Sequence, residues 1–200
     1  MNNFKRWVFA GVVACLVTPA ILAQPIKIKK LDDPAPAQVL FVGNSYFYYN
    51  DSLHNHVNRL VQAHDKGLAE RIAYKSATIG GAALNHHDVA GHLELGRLGL
   101  EKPFDLVILQ GGSGEPLRES RRRIFTETAR RHSAAIRETG AEVALYMTPA
   151  YSDVHSRYDP DMIDKIASLY IETANEIGAL VIPVGLAFEE AYKRKPDMIL

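Results

Sequence analysis

The stretch "VLFVGNSYFYYND", Val39 to Asp51, sets an apolar, β-branched run against Gly-Asn-Ser and then Tyr46, Phe47, Tyr48 and Tyr49. A continuous apolar run of this length suits a strand buried on both faces, and a glycine followed by short polar residues ends it. The strand therefore closes by presenting one hydroxyl, that of Ser45, at the turn into the next segment. Further apolar runs follow at 72–79, 105–109, 142–147 and 180–184. Helical patterns separate them at about 52–66, 82–95, 117–138 and 160–177, with a last one at 186–194. In 160–177 the positions Met162, Ile163, Ile166, Leu169, Tyr170, Thr173 and Ile177 recur at three and four, which is one helix face. Short buried strands alternating with amphipathic helices make βαβ units and a parallel sheet covered on both sides. The expected fold is α/β, a three-layer α/β/α domain with a flavodoxin-like parallel five-stranded sheet.

Composition narrows the class. The chain has 200 residues, 47% of them hydrophobic, which suits one domain with a full core. Lys and Arg number 23 and Asp and Glu 23, with no long basic stripe, so no nucleic-acid partner is expected. The densest charge run, Arg118 to Arg123, leads into a helical pattern and reads as a solvated face.

The N-terminus reads as a targeting segment. Lys5 and Arg6 precede an apolar run from Trp7 to Leu22, and Ala23 then precedes Gln24. These are the parts of a secretory signal peptide, 1–23, too short to span a bilayer as a helix. Val12 to Cys15 loosely resembles a lipidation box, but the apolar run continues well past Cys15. Cleavage removes Cys15, the one cysteine, so the mature chain has neither disulfide nor thiol nucleophile. Secretion or a periplasmic location is expected, with no stable membrane span after cleavage. Residues 24–38, rich in proline and charge, read as an extended linker to a domain at 39–200.

A parallel open sheet places its ligand site outside the carboxyl ends of the strands. The turns there read "GNSYFYYN", "TIGGAALNHH", "LQGGSGEPL", "TPAYSDVHSRYDP" and "PVGL". They combine glycine with Ser, Asn, Gln and His, more polar chemistry than turn-making alone requires.

These turns resemble the blocks of the SGNH (GDSL-like) hydrolases. "VLFVGNSYFYYND" is similar to the first block, in which a strand ends in Gly-(Asp/Asn)-Ser and the serine is the nucleophile. "TIGGAALNHH" looks like the second block, whose glycine amide donates to the oxyanion, with Gly81 as the best match. "DLVILQGGSGEPL" stands in the place of the third block, but Ser113 occupies the position of the usual oxyanion asparagine, with Gln110 nearby. The resemblance runs over 39–200 and implies a serine ester hydrolase of a small-molecule ester, an acyl lipid or an acylated sugar. It implies no cofactor.

The residues support that assignment on physical grounds. A serine becomes a nucleophile when it is held at a defined point and deprotonated by a neighbour, and donors must face the oxyanion that develops. Gly81 supplies an unobstructed amide, and Ser113 or Gln110 a side-chain donor. The plainer readings are a helix N-cap for Ser45 and turn chemistry for Gly81 and Ser113. Tyr46 to Tyr49 wall a pocket or, for at least half of them, pack into the core.

The family's last block, Asp-x-x-His, supplies the base, and no such block follows the fifth apolar run up to Leu200. We expect the domain to be C-terminally incomplete. Asp51 and His54 match the block by letter but lie in the first helical pattern. His155, in the turn after the fourth apolar run, is the candidate substitute base or substrate contact. His86 and His87 lack a carboxylate or cysteine at ligand spacing, so no metal is expected. The alternative is a non-catalytic exported flavodoxin-like module that binds a glycan or anion at the same edge.

Overall fold

The computed structural model describes residues 24–198. The signal-peptide pattern and Cys15 lie outside the described residues. Strands β1 (Gln38–Gly43), β2 (Ala73–Thr78), β3 (Leu106–Leu109), β4 (Glu142–Tyr146) and β5 (Leu180–Ile182) form one sheet in the order β2-β1-β3-β4-β5. Every pairing is parallel. The helices are α1 (Ser45–Tyr48), α2 (Leu53–His64), α3 (Lys66–Ala69), α4 (Val89–His92), α5 (Glu119–Glu138), α6 (Met162–Ile177) and α7 (Val184–Arg194). Single 3-10 turns lie at Leu84–His86 and Glu115–Leu117. This is the expected flavodoxin-like α/β arrangement.

Alternation along the central strands divides the core. Leu40, Val42, Val107, Leu109, Val143 and Leu145 face α5 and α6, against Phe125, Ile136, Ile166 and Tyr170. Val39, Phe41, Leu106, Ile108, Ala144 and Tyr146 face the other way, with Phe47. That second face is thinly covered, because α2 has no fully buried residue. An apolar gap of about 420 Å³ separates its Leu53, Val57 and Val61 from Phe41, Ile108 and Tyr146.

Two expectations need correction. The pattern at 82–95 is not one helix: a 3-10 turn ends at His86, His87 is extended, and α4 spans four residues. The buried residues Leu84 and Val89 produced the apparent periodicity, while the Gly91 amide donates to the side chain of Asp88, which caps α4. The run Arg118 to Arg123 is not simply a solvated face either. Arg122 Nη1 donates to the Lys165 carbonyl at 2.8 Å and Nη2 to Ser168 at 3.0 Å, clamping α5 to α6.

Residues 24–37 carry no helix or strand, yet they are fastened to the domain. The Lys27 amide donates to Asn175 Oδ1 at 2.9 Å, the amides of Asp32 and Asp33 to the Glu142 carboxylate at 2.9 Å each, and those of Ala37 and Gln38 to Asp105 Oδ2 at 2.8 Å each.

Candidate active site

The turns after β1, β2, β3 and β4 surround an open cleft of about 780 Å³. Ser45, Gly81, Ser113 and His155 all line it. Four residues chosen from separate turns thus meet at one place, the carboxyl edge of the sheet.

Ser45 is the first residue of α1, and it is not the cap. Asn44 is: its Oδ1 accepts from the Tyr46 amide at 3.2 Å, while its Nδ2 donates to the Ala82 carbonyl at 2.9 Å and the Gly111 carbonyl at 3.3 Å. Capping is therefore satisfied by the neighbouring side chain, and the Ser45 hydroxyl makes no protein hydrogen bond among the described residues. Asn44 is buried, and its three contacts hold the turns after β1, β2 and β3 together. The amide of Ser45 also has no protein acceptor among the described residues, as expected at the first helical position.

Gly81 has φ +68, a left-handed conformation that a side chain would strain. Its amide donates to no acceptor among the described residues, leaving it free for a ligand. Ser113 Oγ lies 2.6 Å from the Tyr151 hydroxyl. The Tyr46 hydroxyl joins the same group: burial raises its pKa most, the Tyr151 phenol adds to the rise, and the Ser113 bond opposes it. When Tyr151 and Tyr46 both donate to Ser113, the Ser113 proton is left to point at a substrate oxygen.

Gln110 does not line the cleft. It is fully buried at the end of β3, where Oε1 accepts from the Asn44 amide at 2.8 Å and Nε2 donates to the Gly111 carbonyl. Its place is behind the nucleophile turn, where it positions Asn44 rather than facing a ligand. Glu115, which sequence reasoning passed over, holds a similar post. Its Oε2 accepts from the amides of Gly112 and Leu84, joining the turns after β2 and β3. Burial raises its pKa, and those two amides resist the rise. The Gly-Glu-Pro turn offered no signal that the acid would point inward.

His155 stacks on Tyr151 with ring centroids 4.0 Å apart, and its Nδ1 accepts from the Arg157 amide at 3.0 Å. His86 Nδ1 likewise accepts from the Ala83 amide at 3.2 Å. Each neutral ring therefore carries its proton on Nε2, which makes it a donor to the cleft. Neither ring is hydrogen-bonded to Ser45 or to a carboxylate. Asp51 pairs with Arg59, and His54 packs on Phe41 at 6.2 Å, so that pair is not at the cleft. His87 is buried beside α5 and away from the opening. No cluster of three or more metal-ligating side chains occurs among the described residues.

The aromatic run after Ser45 divides. Phe47 is core, edge-on to Phe41 at 5.3 Å and to Tyr146 at 5.0 Å. Tyr46 and Tyr49 line the cleft, and Tyr48 lies edge-on to Tyr49 at 5.2 Å. One of the four is buried, fewer than expected.

The five-stranded parallel sheet with its flanking helices is a fold that solved structures share. The chain has the SGNH-hydrolase fold. It matches AlinE4, an SGNH-hydrolase family esterase, at 17% identity with a TM-score of 0.57, over 82% of each chain. It matches an acetyl xylan esterase, AlAXEase, at 17% identity and TM-score 0.61, over 80% of this chain and 84% of that one. Axe2, an acetylxylan esterase of Geobacillus stearothermophilus, is 19% identical with a TM-score of 0.58, over 78% and 80%. No protein-family model and no curated protein matches the chain. Within the SGNH-hydrolase fold, Ser45, Gly81 and Ser113 occupy three of the four turns that meet at the cleft.

Proposed function

We propose that this protein is an exported serine ester hydrolase that acts on an acyl lipid or acylated carbohydrate through an acyl-enzyme on Ser45. The observation that carries the reading is the division of labour at Asn44-Ser45. Asn44 does the capping, so the Ser45 hydroxyl is left at a fixed point in the cleft with no structural task. Esterases among the solved structures of this fold support the ester substrate. The pattern at 1–23 supports export.

In this reading Ser45 Oγ forms a bond to the acyl carbon and gives its proton to a general base, a place that no imidazole among the described residues fills at hydrogen-bond distance. The carbonyl oxygen becomes an oxyanion held by the amides of Ser45 and Gly81 and by the Ser113 hydroxyl. The proton passes to the departing alcohol, and water then cleaves the acyl-Ser45 bond. His86 and His155 are donors by their tautomers, so they serve as substrate contacts.

The alternative, a non-catalytic glycan- or anion-binding module, is favoured by one observation. Among the described residues no imidazole accepts from Ser45. Brief incubation with p-nitrophenyl acetate, acid quench and peptide mapping separates the two. An acetyl group on the peptide holding Ser45 is expected; no adduct, or one elsewhere, supports the module.

A further inference from the structure

Ester cleavage at Ser45 makes no use of two cations in the cleft. Arg121, in the first turn of α5, and Arg157, in the turn after β4, both line it. A Cβ built on Gly114 would lie 3.6 Å from Nη1 of Arg121 and 3.9 Å from Nη1 of Arg157. The two guanidinium groups therefore converge over the residue that follows Ser113.

Neither forms an ion pair among the described residues, whereas Arg59, Arg122, Arg123, Arg130 and Arg194 each do. The one acid lining the cleft among the described residues, Glu115, is buried with Oε2 on the Gly112 and Leu84 amides, and it acts on Arg121 through space without forming an ion pair. Arg157 is held in place by the Tyr151 ring, with its guanidinium carbon 5.0 Å from the centroid. Two like charges that share one buried acid and pair with no carboxylate repel, so this convergence suits a ligand that brings further negative charge. Guanidinium forks match planar or tetrahedral oxyanions, and the exposed Tyr49 offers a ring face and a hydroxyl to a sugar.

We propose that Arg121 and Arg157 form an anion subsite, and that the ester taken is an acylated sugar bearing a carboxylate or sulfate. This rests on the esterase reading and names its substrate class.

The test is calorimetric binding to the Ser45→Ala protein, with unacetylated tetragalacturonate, a sulfated tetrasaccharide and uncharged xylotetraose as probes. One anionic probe is expected to bind about tenfold more tightly than xylotetraose, the scale of two exposed charge contacts. Which of them binds tells carboxylate from sulfate. The double variant Arg121→Gln, Arg157→Gln should erase the preference, as should salt at about 0.5 M. Gly114→Asp should erase it too, by setting a carboxylate between the guanidinium groups at an ordinary φ of −91. Equal binding of all three probes, or a preference that survives in the double variant, overturns the proposal. The readout needs no turnover, so the two readings fail separately. Anion-selective binding together with an absent acetyl adduct on Ser45 would defeat the esterase alone.

Discussion

The amide of Asn44 donates to Oε1 of Gln110 at 2.8 Å, which fixes the residue before Ser45 to the end of β3. The pair is buried, so water cannot replace either partner. Gln110→Ala leaves the Asn44 amide unpaired and opens a void. We expect a loss of roughly 2–3 kcal/mol, read as a fall of roughly 5–10 °C in Tm. Ester turnover should fall with it, because the nucleophile turn loses its support.

Gly43 tests the same junction sterically. A Cβ there would meet Gln110 Oε1 and sit 2.9 Å from the Phe47 ring. Gly43→Ala should therefore cost about 1–3 kcal/mol by overpacking. Denaturant unfolding is the check, and an unchanged midpoint would contradict the packing described.

Asn50, Asp51 and Ser52 have φ of 51, 71 and 62, three left-handed non-glycine residues in a row between α1 and α2. Asparagine and aspartate tolerate that region, whereas Ser52 combines its φ with ψ 133 and makes no capping bond with its side chain. Ser52→Gly should stabilise the fold by about 1 kcal/mol, relieving more strain than the glycine costs in chain entropy. A higher Tm is the expected result.

His87 carries a pH dependence. Burial, followed by the charges of His92, His132 and His86, pushes its pKa down to about 4, with the Gly43 backbone opposing the shift only weakly. The unfolded chain binds this proton near the ordinary value of about 6.5, so between those values the unfolded state holds more protons. The contribution is complete above pH 6.5 and is lost as the pH falls toward about 4. We expect stability to drop by on the order of 2 kcal/mol across that window. His132, whose pKa burial also lowers, adds in the same direction. His87→Leu should show a shallower fall.

The strands were legible because burial on both faces leaves uninterrupted apolar runs, and the turns because glycine and short polar residues mark them. That placement, together with the resemblance to the SGNH hydrolases, singled out Ser45, Gly81 and Ser113. Gln110 was harder, since a glutamine closing a buried strand looks the same whether it faces a ligand or a neighbouring turn. Arg121 and Arg122 sit side by side in one charge run, yet one reaches the cleft and the other clamps α6. Linear charge pattern carries no azimuth for a residue at the very start of a helix. The 82–95 segment failed because apolar spacing alone does not exclude two short turns joined by an extended histidine.

The central claim concerns Ser45, and a paired measurement on Ser45→Ala tests it: hydrolysis of p-nitrophenyl acetate and thermal melting, each against the parent protein. Because Asn44 caps α1 and the Ser45 hydroxyl is unbonded, the account predicts that turnover disappears while Tm stays within about 1 °C. Ser113→Ala should fall between, slowing the reaction by roughly a hundredfold as the loss of one oxyanion donor does. A Ser45→Ala protein that keeps the parent's turnover would contradict the account at its root, and one that melted several degrees early would return Ser45 to a structural role.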